Sequence, residues 1–421
     1  MLWDRVVDGI TTMNANKFKV FSPHDWGFFG MLVFLATFKD INLMSNTIKI
    51  ALVLTTLLSG SASLLSVAQK MDFEEYDPKS TLVVPAHMVA RAKYPFIDIH
   101  NHQWDMPSQN LRDLVTEMDK LNMAVMNNLS GRGYKDVYGF FDVQDTTYFR
   151  RAQSNIRANY PNRFIQFTNI SFTHFGQKGW TEHALAELEA DVRNGAKGLK
   201  IYKDLGMEFK DEQGKRVPVD DPRLDAIWEK CGSLHIPVLI HSADPPSFWD
   251  PMDKYNERWL ELKTHPGRKR GDVNPAPWKT IIEEQHHLFR AHRNTIFIAA
   301  HFGWLANDLA SLGKLLDECP NVYVEIAAII AELGRQPIQA RNFFLKYQDR
   351  ILFGKDSWVP SEYATYFRVL ETTDEYFPYH KKYHAFWRMY GLGLPDEVLK
   401  KVYYKNALRI IPGLDKSALP Q

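Results

Sequence analysis

From Pro95 onward, short apolar runs alternate with longer stretches in which apolar residues recur every three or four positions. The short runs are rich in β-branched and aromatic residues and bounded by turn formers. They predict strands at Phe96–His100, Met123–Asn127, Phe164–Asn169, Gly198–Tyr202, Pro237–His241, Ile296–His301, Val322–Ile326 and Ile351–Gly354. Between them the spacing predicts helices over Ser108–Leu121, Gln144–Ala158, Glu182–Asn194, Pro222–Leu234, Pro277–His292, Leu305–Glu318 and Pro337–Tyr347. Asp220-Asp221-Pro222 offers one of these helices a cap and a proline-first turn. Eight strands alternating with helices predict an α/β fold, a (β/α)8 TIM barrel. The rival architecture, an open doubly wound sheet, lacks its Gly-x-Gly-x-x-Gly turn after any strand. A His/Tyr/Phe-rich tail, Glu371–Tyr390, and a last helix near Pro395–Leu408 are expected to cap the barrel.

The N-terminus breaks this pattern. After Met44 come a positive Lys49, an apolar run Ile50–Leu58 and the small-residue triplet Ser66-Val67-Ala68. That order predicts a secretory signal peptide, too interrupted by serine to make a good membrane span. The chain is therefore read as an upstream extension or N-terminal anchor (1–43), a signal peptide (44–68), a lead-in (69–94) and the barrel (95–414). Export to the periplasm or medium is the expectation, with no stable membrane insertion once the signal is removed. A membrane anchor at the N-terminus is the alternative.

Composition narrows the partners. Lys plus Arg number 51 against 50 Asp plus Glu, so no global field attracts nucleic acid or an anionic membrane. A small-molecule substrate is expected, and a homo-oligomer is left open. The basic run Arg268-Lys269-Arg270 reads as a solvated loop. Cys231 and Cys319 have neither Cys-x-x-Cys nor Cys/His spacing, which predicts buried thiols and no thiolate metal site.

Candidate chemistry follows from position. His100 and His102 end the first predicted strand, His241 the fifth and His301 the sixth, and Asp356 follows the eighth within two residues. Parallel barrel strands all finish at one mouth, where active sites of this fold form. Four imidazoles and a carboxylate there suit one divalent ion, Zn2+ first and Mn2+ as the alternative. His-x-His alone is a weak motif, more often two partly exposed loop histidines. A lone His241 or His301 is more often a hydrogen-bonded core residue. The coincidence at strand ends is what carries the reading.

FIDIHNH, GLKIYK, VLIH, FIAAH and LFGKDSW, in that order, resemble the metal-binding strand ends of the amidohydrolase superfamily. The likeness is to its amidohydrolase-related (amidohydrolase 2) branch, which also includes non-oxidative decarboxylases. It spans roughly Pro95 to Leu414 and includes a closing KNALRI. The resemblance implies that His100, His102, His241 and Asp356 hold one metal. Asp356 would also serve as general base and acid, and His301 would orient the attacking water or polarise a carbonyl. A metal lowers the pKa of bound water from near 16 to about 7. Lys200, ending the fourth strand, resembles the lysine that is carboxylated in two-metal relatives, so a second ion on His241 and His301 stays open. The same lysine could instead bind a substrate carboxylate or form a plain salt bridge.

Substrate contacts are expected from Arg132 after the second strand, which could instead be a solvated loop residue, and more weakly from Lys203 after the fourth. Glu325 at the end of the seventh is expected to face substrate or to support the metal ligands from behind, with an ordinary rim ion pair equally open. The long insertion Ser242–Pro275 has the character of a lid and offers Trp249, Tyr255 and Trp259. These residues together imply metal-dependent hydrolysis of an amide, ester or lactone. The same site would serve non-oxidative decarboxylation of an aromatic or unsaturated acid. A metal-free binding barrel is disfavoured, because it would leave clustered polar groups unsatisfied.

Overall fold

Each predicted strand forms, usually shorter than its apolar run: β1 Phe96–Asn101, β2 Met123–Asn128, β3 Phe164–Gln166, β4 Leu199–Ile201, β5 Val238–Ile240, β6 Phe297–Ala299, β7 Val322–Glu325 and β8 Ile351–Leu352. The structure is a computed structural model describing residues 71–72, 74–132, 147–271, 276–381, 387–417 and 419. The expected upstream extension and signal peptide therefore lie outside the described residues. The chain divides into two units, Met1–Phe73 and Glu74–Gln421, and the elements named here belong to the second.

All eight strands run parallel, in chain order, as β1-β2-β3 and β4-β5-β6-β7-β8. Backbone bonds join these sheets at both seams. Between β3 and β4, Thr168 N donates to Gly198 O at 2.9 Å and Lys200 N to Thr168 O at 2.7 Å. Between β8 and β1, Ile99 N donates to Phe353 O at 3.1 Å and Asp356 N to His100 O at 2.6 Å. The ring of strands thus closes, and the fold is a (β/α)8 barrel. Every residue of β1 is buried, as expected of parallel strands with side chains on one face and helices on the other.

The barrel helices are α1 Leu111–Leu121, α2 Tyr148–Asn159, α3 Trp180–Arg193, α4 Asp225–Ser233, α5 Trp278–Ala291, α6 Leu309–Glu318, α7 Pro337–Lys346 and α8 Tyr363–Glu371. Their ends obey local chemistry. Asn110 accepts from Arg112 N at the start of α1, and Asp308 accepts from Ser311 N at the start of α6. Asp221 caps the Pro222 turn that leads into α4. The eighth helix was not expected, yet Tyr363, Tyr366, Phe367 and Leu370 form a buried stripe at helical spacing.

Among the described residues of the aromatic tail, β9 Phe377–Pro378 pairs antiparallel with β10 Arg388–Met389. Beyond them the helical segment from Asp396 to Ile410 contains a π-turn at Lys401–Lys405. That segment grips β8: Asn406 Nδ2 donates to Ile351 O at 2.7 Å and Gln348 O at 2.8 Å. Phe353 N donates to Val402 O at 3.0 Å. The last helix therefore fixes the strand end that carries Asp356.

The basic run is not the solvated loop its composition suggests. Arg268 pairs with Glu261, and Arg270 pairs with both Glu208 and Asp244. The partners of Arg270 lie 26 and 62 positions away, which composition cannot show. Cys231 and Cys319 are both buried and free. No helix among the described residues is long and apolar enough to cross a membrane.

Candidate metal centre

The end of β1 delivers His100 and His102 to the barrel mouth, while the chain leaving β8 turns back onto β1 through Asp356. This residue holds a left-handed backbone, φ 77°, a region Asp and Asn enter more readily than other side chains. Its amide donates to His100 O, so the turn sets the carboxylate beside both rings. Asp356 Oδ1 lies 3.3 Å from His100 Nε2 and 3.6 Å from His102 Nε2. The ligand atoms of His100, His102 and Asp356 all fall within 4.8 Å of one another.

A second group, His100, His301 and Glu325, meets the same spacing. Glu325 Oε1 accepts from the His100 ring at Nδ1, 2.9 Å away, and from His301 N at 2.7 Å. Its Oε2 accepts from Ala327 N at 2.6 Å. One carboxylate thereby fixes the ring of the first strand's ligand and the backbone of the sixth strand's turn. With Nδ1 engaged by Glu325, His100 presents Nε2 to the mouth.

His301 reaches its place by an unusual route. β6 ends at Ala299, two residues before the sequence expectation, and His301, Phe302, Gly303 and Trp304 all take left-handed backbone. The turn aims the imidazole inward, and its Nδ1 is 2.8 Å from Ala327 O. Strained backbone of this kind concentrates at functional sites. His241 follows β5, with its ring centroid 4.4 Å from that of His301. It belongs to neither close ligand group among the described residues.

Electrostatics leave His102, His241 and His301 as lone-pair donors, whereas at His100 burial is outweighed by Glu325 and Asp356, which raise its pKa. Burial lowers His102 and His241 well below the usual histidine range and His301 to about 4. Burial opposes ionisation of Asp356, yet the neighbouring His100, His301 and His102 hold its pKa well below the carboxylate norm. Burial likewise opposes Glu325, and His100 and His301 again outweigh it. Among the described residues His100 Nε2 and His241 Nε2 are buried without a hydrogen-bond partner. Unpaired imidazole nitrogens beside an ionised carboxylate suit a divalent cation, so the residues present fit one.

The strand below the site admits no extra atom. A Cβ on Gly354 would sit 2.4 Å from Glu325 Oε2 and 2.9 Å from His100 Cβ. Gly354→Ala is expected to cost roughly 1–3 kcal/mol and to weaken metal binding by displacing Glu325. Denaturant unfolding and a metal titration of the variant check both effects.

The amidohydrolase family model matches residues 97–413. The chain belongs to the amidohydrolase family. Amidohydrolases are metal-dependent enzymes, and this one carries the His and carboxylate groups described above. Sequence comparison with curated proteins gives no significant match. Among solved structures, the amidohydrolase is similar to a TIM-barrel protein from Bordetella bronchiseptica (15% identity, 75% of this chain, 98% of that chain, TM-score 0.47). It is similar to a dihydroxybenzoic acid decarboxylase from Polaromonas sp., solved with manganese and 2-nitroresorcinol (15%, 75%, 96%, 0.48). A 4-oxalomesaconate hydratase from Rhodopseudomonas palustris is a further likeness (13%, 75%, 95%, 0.45).

The expected substrate contacts of this amidohydrolase divide. Arg132 is corrected: it is buried, donates to Asn169 O at 2.7 Å, and pairs with Glu187 and Asp191 of α3. Those carboxylates hold the guanidinium against the helix layer. Lys203 is bound to Asp244 at 2.7 Å, and Arg270 shares that carboxylate. Glu325 accepts from the His100 ring and the His301 amide, as described above. Trp249 donates from its indole to Ala276 O at 3.0 Å and so anchors the insertion. Trp259 opens a short helix, Trp259–Thr264, with Lys263 over its ring, and Tyr255 is exposed.

Three residues enter the picture only through the structure. Trp104 stacks on His102 with centroids 4.8 Å apart, while Tyr202 flanks the same ring at 6.0 Å. Asp98 accepts from Tyr363, Asn101 and the His100 and Lys355 amides, tying β1 to the turn that bears Asp356. Its signal was available: two positions before His100, it shares that residue's face of the strand.

Proposed function

We propose that this amidohydrolase hydrolyses an amide, ester or lactone of a small molecule with one divalent ion held by His100, His102, His241 and Asp356. The observation that supports this reading is the Asp356 carboxylate set 3.3 and 3.6 Å from the Nε2 atoms of His100 and His102. A bound divalent ion would make water acidic enough to ionise near neutral pH and would polarise the scissile carbonyl. Asp356 then takes the proton of the attacking water on a carboxylate oxygen and passes it to the departing nitrogen or oxygen. His301, with Nδ1 occupied by Ala327 O, offers Nε2 to orient that water. Trp104 and Tyr202 flank His102 and shield this side of the mouth.

Purified protein is expected to hold about one Zn2+ or Mn2+ per chain. Removal by a chelator should abolish turnover, and adding the ion back should restore it. Elemental analysis paired with a screen of lactones, amides and aromatic acids tests the reading directly. Acid production without CO2 supports hydrolysis; CO2 release from an aromatic acid would replace it with decarboxylation. Two ions per chain, both lost in a Lys200 variant, would overturn the one-metal assignment.

Export is proposed on the signal-like segment 44–68. N-terminal sequencing of the mature protein should start near Gln69, and recovery of Met1 would refute it.

A further inference from the structure

Lys200 sits in the middle of β4 and is 1% exposed, among the largest fully buried side chains described. Its Nζ has no hydrogen-bond partner among the described residues. The face of Tyr202, 5.7 Å from Nζ, is a weak cation–π neighbour and accepts no conventional hydrogen bond. The same ammonium lies within Coulombic range of Asp356, Glu325, His100, His102 and His241. Lys200 Nζ and the His102 ring, 6.0 Å from Tyr202, approach the same aromatic side chain, which puts the ammonium on the site's side of β4. The next lysine along, Lys203, is different: Asp244 holds it.

A buried ammonium with three unmet N–H donors is costly, and a divalent ion nearby would raise that cost. Charge accounting points to what is missing. With a divalent ion bound, His100 neutral and the bound water not yet ionised, Asp356 and Glu325 would offset the ion's charge and leave Lys200 without a carboxylate of its own. A neutral amide or ester cannot cancel it. A carboxylate can, and its two oxygens also accept the orphan N–H groups.

We propose that Lys200 is the counter-ion for a carboxylate on the substrate, so that the site takes small monoanionic acids in preference to their neutral analogues. This rests on the metal-dependent reading above and narrows it to amides, esters or lactones that also bear a free carboxylate. Lys200 here binds substrate and is not itself a metal ligand.

Benzoate and benzamide are nearly equal in shape and differ in charge, so they probe the claim without knowledge of the natural substrate. Each is titrated calorimetrically into the purified chain, with and without Zn2+. Benzoate is expected to bind at least tenfold more tightly than benzamide. Lys200→Met should reduce that preference at least tenfold while leaving metal content unchanged. Equal affinity in the wild-type protein, or a preference that survives Lys200→Met, overturns the proposal. So does a lysine carbamate seen by 13C NMR in labelled bicarbonate, because Lys200 would then be anionic. Lys200→Gln is the second variant, and the wild-type titration and NMR decide the matter even if neither variant folds. Elemental analysis keeps the two readings apart: protein that takes up no divalent ion sinks the hydrolase reading, whereas metal-loaded protein with no benzoate preference sinks only the Lys200 proposal.

Discussion

Asp356→Asn should lower kcat by about 10^3-fold while the protein stays folded. Asparagine is isosteric and accepts the left-handed backbone seen at this position, φ 77°. The amide bond to His100 O and the β8–β1 seam therefore survive the exchange. What is lost is the proton acceptor beside His100 and His102, together with one negative charge in the ligand set. Steady-state kinetics, a melting curve and metal content on the same preparation separate chemistry from folding. Near-wild-type turnover in this variant would remove Asp356 from the proton path.

Glu325→Ala should have the largest effect on stability. The carboxylate is fully buried and accepts from His100 Nδ1, His301 N and Ala327 N. Truncation strands those donors and removes the charge that balances His100. Deleting one partner of such a buried cluster costs about 3–5 kcal/mol. Metal affinity should fall a further 10- to 100-fold, because His100 loses the partner that fixes its ring. Denaturant unfolding of the metal-free protein measures the first effect and a competition titration the second. A variant as stable as the wild type, with unchanged metal affinity, would show that Glu325 is dispensable to the site.

Much of this architecture is written locally. β-branched and aromatic runs such as FIDIH and VLIH mark strands because a short buried strand needs little more than apolar bulk between turns. The placement of histidines at strand ends is legible for the same reason: parallel strands convert sequence position into a shared rim. The eighth helix is not among the predicted ones although Tyr363, Tyr366, Phe367 and Leu370 keep helical spacing. Other features have no local signature. Glu325 is 225 positions from the histidine it orients. Arg132 looks like a loop cation until Glu187 and Asp191 of α3 are brought beneath it. The left-handed run from His301 to Trp304 contains a single glycine, so nothing in its residue types announces the turn.

The bond from Asp356 N to His100 O has a consequence for biogenesis. Because it joins the first strand to the last, a nascent polypeptide holding His100, His102 and His241 still lacks the group that completes their cation pocket. Circularisation and ion capture would therefore be one event at the end of synthesis. A truncated translation product would be left with unfastened edges and little means of retaining its ion.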